Sequence, residues 1–338
     1  MKIGLLGARL DNGGLGIQTH EWYKHVRPNS VFAVRCGTLP QYGDRYYGDA
    51  FSVCTVNDGH FIPDAVLREW MRGLDVVVAF ETPYNPNAFN IARELGVKSV
   101  LVVNWEYFTP SHNPDLFVVP TAWHLSDMPA NTRLIETGTA VEFRKRDKCE
   151  TFLVNAGNCQ AFQDRNGFAV FLRALPMVRD DARFVVKVQD SGIPRVTDPR
   201  VEWLAGDWEN FAEVYELGDV FVMCRHYGGL SLPMQEAMAA GLPVVGAARD
   251  PENAWPLIRR VPVTHRTPCT TRTAFDIEEH RAEDLAAAMN ALVGQNIAAE
   301  SLATRAYADA HWSWARIERE WREVFEELTA THIQNEVN

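Results

Sequence analysis

Residues 219–246 read DVFVMCRHYGGLSLPMQEAMAAGLPVVG. Val220, Phe221, Val222 and Met223 form a short apolar run, the signature of a strand buried on both faces of a parallel sheet. Gly228 and Gly229 let the chain turn where a Cβ would clash, and let backbone amides approach a ligand closely. Ser231 is an N-cap residue type, and Pro233 suits a first helical turn. The helix then continues through Gln235 and Glu236 to Ala240. Gly241 stands at the position that commonly ends a helix, with Pro243 just beyond it. Val244 and Val245 open the next strand. The stretch therefore predicts strand, glycine-rich loop, helix, strand. The helix N-terminus carries free N–H groups and partial positive charge at the loop, which favours an anion such as phosphate. Glu236, one turn in, is placed to reach hydroxyls of the molecule that bears the phosphate. A plain structural βαβ unit has the same pattern, and the residues alone leave both readings open.

Working outward, the bulk properties narrow the class. A length of 338 residues predicts about two domains at roughly 150 residues each. A net charge of −11 argues against a nonspecific nucleic-acid binder. The six cysteines show no C-x-x-C spacing and read as reduced, mostly buried thiols of a cytoplasmic protein. Met1-Lys2 leads straight into a strand with no signal peptide, and no apolar stretch approaches the ~18 residues of a membrane span.

The first half alternates strands and helices. Residues 2–7 predict a strand, 11–16 a glycine loop containing Gly13 and Gly14, and 17–26 a helix. The glycines do not fit G-x-G-x-x-G, which argues against a plain dinucleotide-binding domain. His20 and Glu21 read as helix surface rather than as cleft residues, and Tyr42, Tyr46 and Tyr47 as cover for the domain rather than as the lining of a pocket. Strands at 75–80, 99–103 and 116–119 are each followed by polar and aromatic residues. These are Glu81 to Asn85, then Asn104-Trp105-Glu106-Tyr107-Phe108, then Thr121 to His124. Strand C-terminal ends are where α/β sheets place ligand groups. Three such clusters single out Glu81, Trp105, Glu106 and His124 as candidate ligand-side residues, with Glu106 reading equally as a proton-transfer group or as a surface glutamate beside core aromatics.

The basic run at 144–148 reads as a linker. The second half restarts with a strand at 151–155, then Gly157, Arg165 just before a helix at 168–177, and a strand at 184–188 holding Lys187. Lys187 reads equally as a phosphate ligand or as an edge charge. Trp208 reads as a core residue or as a ring that stacks on a planar ligand. Helices follow at 211–217, 284–292 and 298–310, and a last amphipathic one runs from Trp312 to about Leu328.

From Leu232 onward the opening stretch resembles the nucleotide-sugar-binding element of retaining GT-B glycosyltransferases, in particular the large family 4. Their pattern is Glu-Gly-Phe-Gly-Leu-Pro-x-x-Glu-Ala-Met-Ala-x-Gly-x-Pro-Val-Val. Glu236 takes the place of the second glutamate, which binds the donor ribose, and Gly228 replaces the first, which helps hold the donor sugar. Near Gly157 the family carries an arginine where this chain has Asn158, and Arg165 stands one residue from the family's lysine. The resemblance implies an α/β GT-B fold, two Rossmann-like domains with parallel sheets facing a central cleft. It implies an acceptor domain at 1–143, with a C-terminal helix at about 312–330 crossing back to it, and a donor domain at 149–311. The implied activity is sugar transfer from a nucleotide-sugar donor, UDP- or GDP-linked, to a hydroxyl-bearing acceptor, with retention and with neither metal nor other cofactor. The donor site would comprise Gly13, Gly14, Gly157, Arg165, Lys187, Trp208, Gly228, Gly229, Leu230, Ser231 and Glu236. Arg165 and Glu106 would carry the chemistry, with Glu81, His124 and Trp105 on the acceptor side. The acceptor is left open among a small molecule, a protein and a hydroxylated DNA base, without membrane insertion, and the oligomeric state is open. A nucleotide-sugar epimerase and a noncatalytic sugar-nucleotide binder are the rival readings, the latter because Gly228 and Asn158 are departures from the family site.

Overall fold

The computed structural model describes residues 1–35, 44–48, 51–55, 61–157, 164–189, 196–206, 208 and 210–335. The chain divides into two units, Met1–Gly138 with Trp314–Asn338, and Thr139–Ser313.

The first unit is built on β1 (Ile3–Arg9), α1 (Gly14–Val26), β2 (Ser30–Arg35), α2 (Asp44–Tyr47), β3 (Phe51–Thr55), α3 (Asp64–Met71), β4 (Val76–Phe80), α4 (Ala88–Glu94), β5 (Lys98–Val102), β6 (Leu116–Val119) and β7 (Thr132–Leu134). The seven strands form one parallel sheet in the order β3-β2-β1-β4-β5-β6-β7. Its central strand β4 is apolar throughout and fully buried, as covering on both faces requires. Along β4, Val76, Val78 and Phe80 enter one core while Val77 and Ala79 enter the other. Trp22 of α1 packs edge-on against Phe80 at 5.7 Å and against Trp321 of the C-terminal helix (Trp314–Asn335) at 5.4 Å. That helix therefore belongs to the core of the first sheet, distant in sequence as it is.

The expected glycine loop is shorter than the sequence implied: α1 already begins at Gly14. Gly16 sits inside its first turn, where a Cβ would lie 1.7 Å from the Asp11 carbonyl oxygen. Only a residue without a side chain lets the helix start this close to the loop that precedes it.

The second unit repeats the plan. Its elements are β8 (Thr151–Gly157), α5 (Phe168–Ala174), β9 (Arg183–Val188), β10 (Val201–Ala205), β11 (Val220–Met223), α6 (Leu232–Ala239), β12 (Val244–Ala247), β13 (Arg259–Val261), β14 (His265–Thr270), β15 (Ala274–Glu279), α7 (Ala282–Asn290) and α8 (Ala298–His311). Six parallel strands are ordered β10-β9-β8-β11-β12-β13. On β11, Val220 and Val222 face one core, Phe221 and Met223 the other. The helix expected over 168–177 ends at Ala174 and tightens into a 3-10 turn carrying Pro176, since proline cannot supply the next helical N–H. The segment expected as a helix at 211–217 is also 3-10.

Two further findings depart from the sequence reading. An antiparallel hairpin, β14–β15, stands apart from the main sheet and was not anticipated. The basic run at 144–148, read as a linker, is exposed except at its centre. Arg146 is 4 % exposed and donates to the carbonyls of Gly218 (2.9 Å) and Tyr215 (2.7 Å). Burial lowers its pKa to about 10, with Arg144 adding to the effect.

Among the described residues no helix is long and apolar enough to cross a membrane. Cys149, Cys224 and Cys269 are free, and burial pushes the Cys149 thiol up to about 12. Cys36, Tyr42, Asn158 and Cys159 lie outside the described residues.

Candidate functional site

In the second sheet the strand order reverses between β8 and β11. Open α/β sheets bind ligands beyond the strand C-termini at such a point. The chain leaving β8 reaches Arg165, and the chain leaving β11 reaches Gly228, so the fold sets these two segments beside one another. Gly228 has φ +99°, and a Cβ there would lie 2.6 Å from Nη2 of both Arg165 and Arg225. The Arg165 guanidinium thus lies against the glycine loop. It also sits over the Tyr227 ring at 5.5 Å, and its carbonyl accepts the His226 N–H at 2.9 Å.

The two neighbouring helix N-termini are treated differently. Asp164 turns its carboxylate back onto α5 and accepts from the N–H groups of Phe168 (2.8 Å) and Ala169 (2.9 Å). Burial raises its pKa, against those hydrogen bonds and the charge of His226. At α6 the expected cap is not formed: Ser231 occupies the N-cap position, but its hydroxyl points at Met223 Sδ, 3.6 Å away. The N-terminus of α6 is therefore not closed by its own side chain, which suits an anion there.

Below the glycine loop lies a layer of buried charge. Glu252, fully buried, pairs with Arg225 (3.1 Å) and Arg249 (2.8 Å), and Arg249 Nε pairs with Glu278 at 2.7 Å. The same arginines hold the loop's carbonyls. Arg249 donates to Gly228 (3.1 Å), and Arg225 donates to Gly229 (3.4 Å) and Leu230 (2.8 Å). The β14–β15 hairpin is tied to this layer. Phe275 stacks on Tyr227 at 5.0 Å, the Glu278 N–H reaches the His226 carbonyl at 2.8 Å, and His280 Nε2 lies 3.1 Å from the Arg225 carbonyl.

Glu236 is 5 % exposed, and its Oε2 accepts a 2.5 Å hydrogen bond from the Tyr215 hydroxyl. Burial and the Glu236 charge push the Tyr215 pKa well above its usual value. Lys187 belongs to β9, an internal strand, so it is no edge charge. Its ammonium donates to the carbonyls of Gly206 and Val188 (3.3 Å) and lies over the Trp208 ring at 5.7 Å. Lys187 and Trp208 thus form one packed pair beyond β9. Gly157 ends β8 with φ +57°, its carbonyl accepting the Gln189 N–H at 2.9 Å.

In the first unit the reversal falls between β1 and β4. Gly13 is the N-cap of α1, and its N–H is taken by Asp11 Oδ1 at 2.8 Å. Asp11 in turn holds Arg9 through two hydrogen bonds. Gly14 is exposed, with open space where a Cβ would stand. At the next strand ends, Asn104 Nδ2 donates to Glu81 Oε1 at 3.1 Å. Trp105 stacks in parallel with both His124 (5.0 Å) and Phe108 (5.7 Å). Glu106, on the 3-10 turn Trp105–Tyr107, is 3 % exposed. His124, at φ 55°, reaches Asp127 Oδ2 at 2.7 Å. At the C-terminal ends of these strands, contacts thus join Glu81 to Asn104 and Trp105 to His124, with Glu106 next to Trp105 in the chain. Residues the sequence reading passed over are Asp164, Tyr215, Arg225, Arg249 and Glu252. Only Asp164, an acidic residue four before a helix start, left a local trace in the sequence.

Among the described residues no group of three His, Cys, Asp or Glu side chains is placed to hold a metal ion. Residues 150–295 match the family model described as glycosyl transferases group 1. The match lies wholly within the second unit. No curated protein matches the chain by sequence. Among solved structures, HepE of Anabaena in complex with UDP-glucose is similar with a TM-score of 0.69 at 12% identity, over 97% of this chain and 100% of that one. Sucrose-phosphate synthase of Thermosynechococcus elongatus gives 0.64 at 15%, over 98% and 100%. CalG4, the calicheamicin glycosyltransferase, gives 0.56 at 13%, over 96% and 98%. At these identities the likeness speaks to fold, and that fold is GT-B.

Proposed function

We propose that the chain transfers a sugar from a nucleotide-linked donor, UDP- or GDP-activated, to a hydroxyl-bearing acceptor, with the anomeric configuration kept and without a metal. The observation that carries this reading is the meeting of Arg165, the Gly228 turn and the α6 N-terminus at the switch point of the unit that matches the glycosyltransferase model. The donor diphosphate would lie at the amides before α6 and beside Arg165, with the ribose reaching toward Glu236. HepE has been solved with UDP-glucose, which supports the donor class. Catalysis would then consist of positioning and of stabilising charge on the leaving diphosphate, which grows in the transition state. Arg165 supplies the cation for that charge, and no Asp-x-Asp sequence occurs in the chain. On the acceptor side, Glu106 would take the proton from the attacking hydroxyl, with Glu81, Trp105 and His124 also on that side.

A thermal-shift panel of nucleotide sugars tests the donor reading. A true donor at 100 times its dissociation constant stabilises the chain by about 2.7 kcal/mol, and the shift should persist in EDTA. A panel without any shift contradicts the donor site, and a shift abolished by EDTA and restored by Mg²⁺ contradicts metal independence.

A further inference from the structure

The glycine loop is shaped from below. Three successive carbonyls, of Gly228, Gly229 and Leu230, are held by the guanidinium groups of Arg249 and Arg225. In a trans peptide the C=O and the following N–H point in opposite directions. Fixing those three carbonyls therefore fixes the N–H groups of Gly229, Leu230 and Ser231 on the other side of the loop. These are the amides that lead into the N-terminus of α6.

What holds the two arginines is Glu252. Each of its carboxylate oxygens takes one of them, Oε1 from Arg225 and Oε2 from Arg249, with all three side chains at most 2 % exposed. A single buried carboxylate thus sets the spacing of the two guanidinium groups, and through them the course of the loop. Glu278 of β15 fixes Arg249 from the other side and is bridged to Arg266 at 3.0 Å. We infer that Glu252 is a positioning residue for the donor loop, acting through Arg225 and Arg249 to aim the amides of Gly229, Leu230 and Ser231 at the donor's diphosphate. This rests on the donor site proposed above. Glu252 touches no substrate. Its role is to present the amide cradle before the ligand arrives, so that binding spends no free energy on ordering the loop.

The test separates diphosphate recognition from general loosening of the domain. Titration calorimetry on the full chain compares UDP with uridine, and GDP with guanosine, for wild type and Glu252→Gln. Gln keeps the shape and removes the charge that spaces the two arginines. Affinity for the nucleoside diphosphate should fall at least tenfold, while affinity for the matching nucleoside stays within about twofold. Circular dichroism establishes that the variant is folded. Glu278→Gln, at the partly exposed end of the same layer, gives a second measurement should Glu252→Gln not fold. It should show the same split with a smaller loss. Equal losses for diphosphate and nucleoside, or no loss in a folded variant, overturn the inference. A wild-type chain that binds neither diphosphate overturns the donor reading itself, and the inference with it.

Discussion

Glu236 shows how a residue's surroundings decide which substitution is informative. Its carboxylate accepts from the buried Tyr215 hydroxyl. Glu236→Ala would remove any donor contact and also strand that hydroxyl, so stability and binding would change together. Glu236→Gln retains an acceptor for Tyr215 and loses only the charge. The difference between a charged and a neutral hydrogen bond is roughly 1 kcal/mol, so donor affinity should fall about fivefold with thermal stability nearly unchanged. Calorimetric affinities equal to wild type would remove Glu236 from the site. His20 gives a residue-scale prediction of another kind. It stacks on Tyr46 at 4.1 Å, and its pKa is lowered from 6.5 to about 4, chiefly by burial, with the Glu21 charge opposing and Lys24 assisting. Between these values the unfolded chain binds the proton and the folded chain does not. Stability contributed by neutral His20 is therefore complete above pH 6.5 and is lost as pH falls toward 4. Urea midpoints at pH 7 and pH 5 should differ more for wild type than for His20→Gln. Equal differences would place the acid sensitivity elsewhere.

At the scale of elements, α1 sets two effects against each other at Gly16. Helix propensity alone favours alanine over glycine by about 1 kcal/mol. Against that, the added Cβ would stand 1.7 Å from the Asp11 carbonyl oxygen, a backbone atom that cannot step aside without moving the loop. The clash outweighs the propensity, and Gly16→Ala should destabilise by about 1–3 kcal/mol, the usual range for overpacking. A higher melting temperature for this variant would contradict the close approach. The same comparison shows which elements could be read in advance. The central strands were legible because burial on both faces leaves an apolar run such as Val220–Met223. The β14–β15 hairpin was not. His265–Thr270 is largely exposed and contains Pro268, a residue that speaks against an interior strand, though Phe275 and Ile277 do alternate inward on β15. The burial of Arg146 left no sign in the sequence for a related reason. Its neighbours in sequence are charged, whereas the carbonyls that bury it come from Tyr215 and Gly218.

At the scale of the molecule, the first six strands of each unit share one order, with the reversal between the first and fourth of them. That repetition is what makes the site legible in part. Motifs next to a strand end, such as Gly228 to Glu236, declare themselves locally. The buried arginines and Glu252 do not, because their role comes from contacts across the fold and a lone Arg or Glu leaves no periodic signal. Placement of Arg165 beside the loop likewise follows from the switch point between β8 and β11, which no single segment specifies. The central claim is that this chain breaks the bond between a sugar and a nucleoside diphosphate, using Arg165 for the leaving charge. The most direct measurement is single-turnover release of nucleoside diphosphate from the donor that gives the largest thermal shift, for wild type and Arg165→Ala. The account predicts release by wild type, and a steep fall in rate for Arg165→Ala with nucleoside affinity little changed. Binding without any release, a changed sugar with the nucleotide still attached, or equal rates for the two proteins would contradict it.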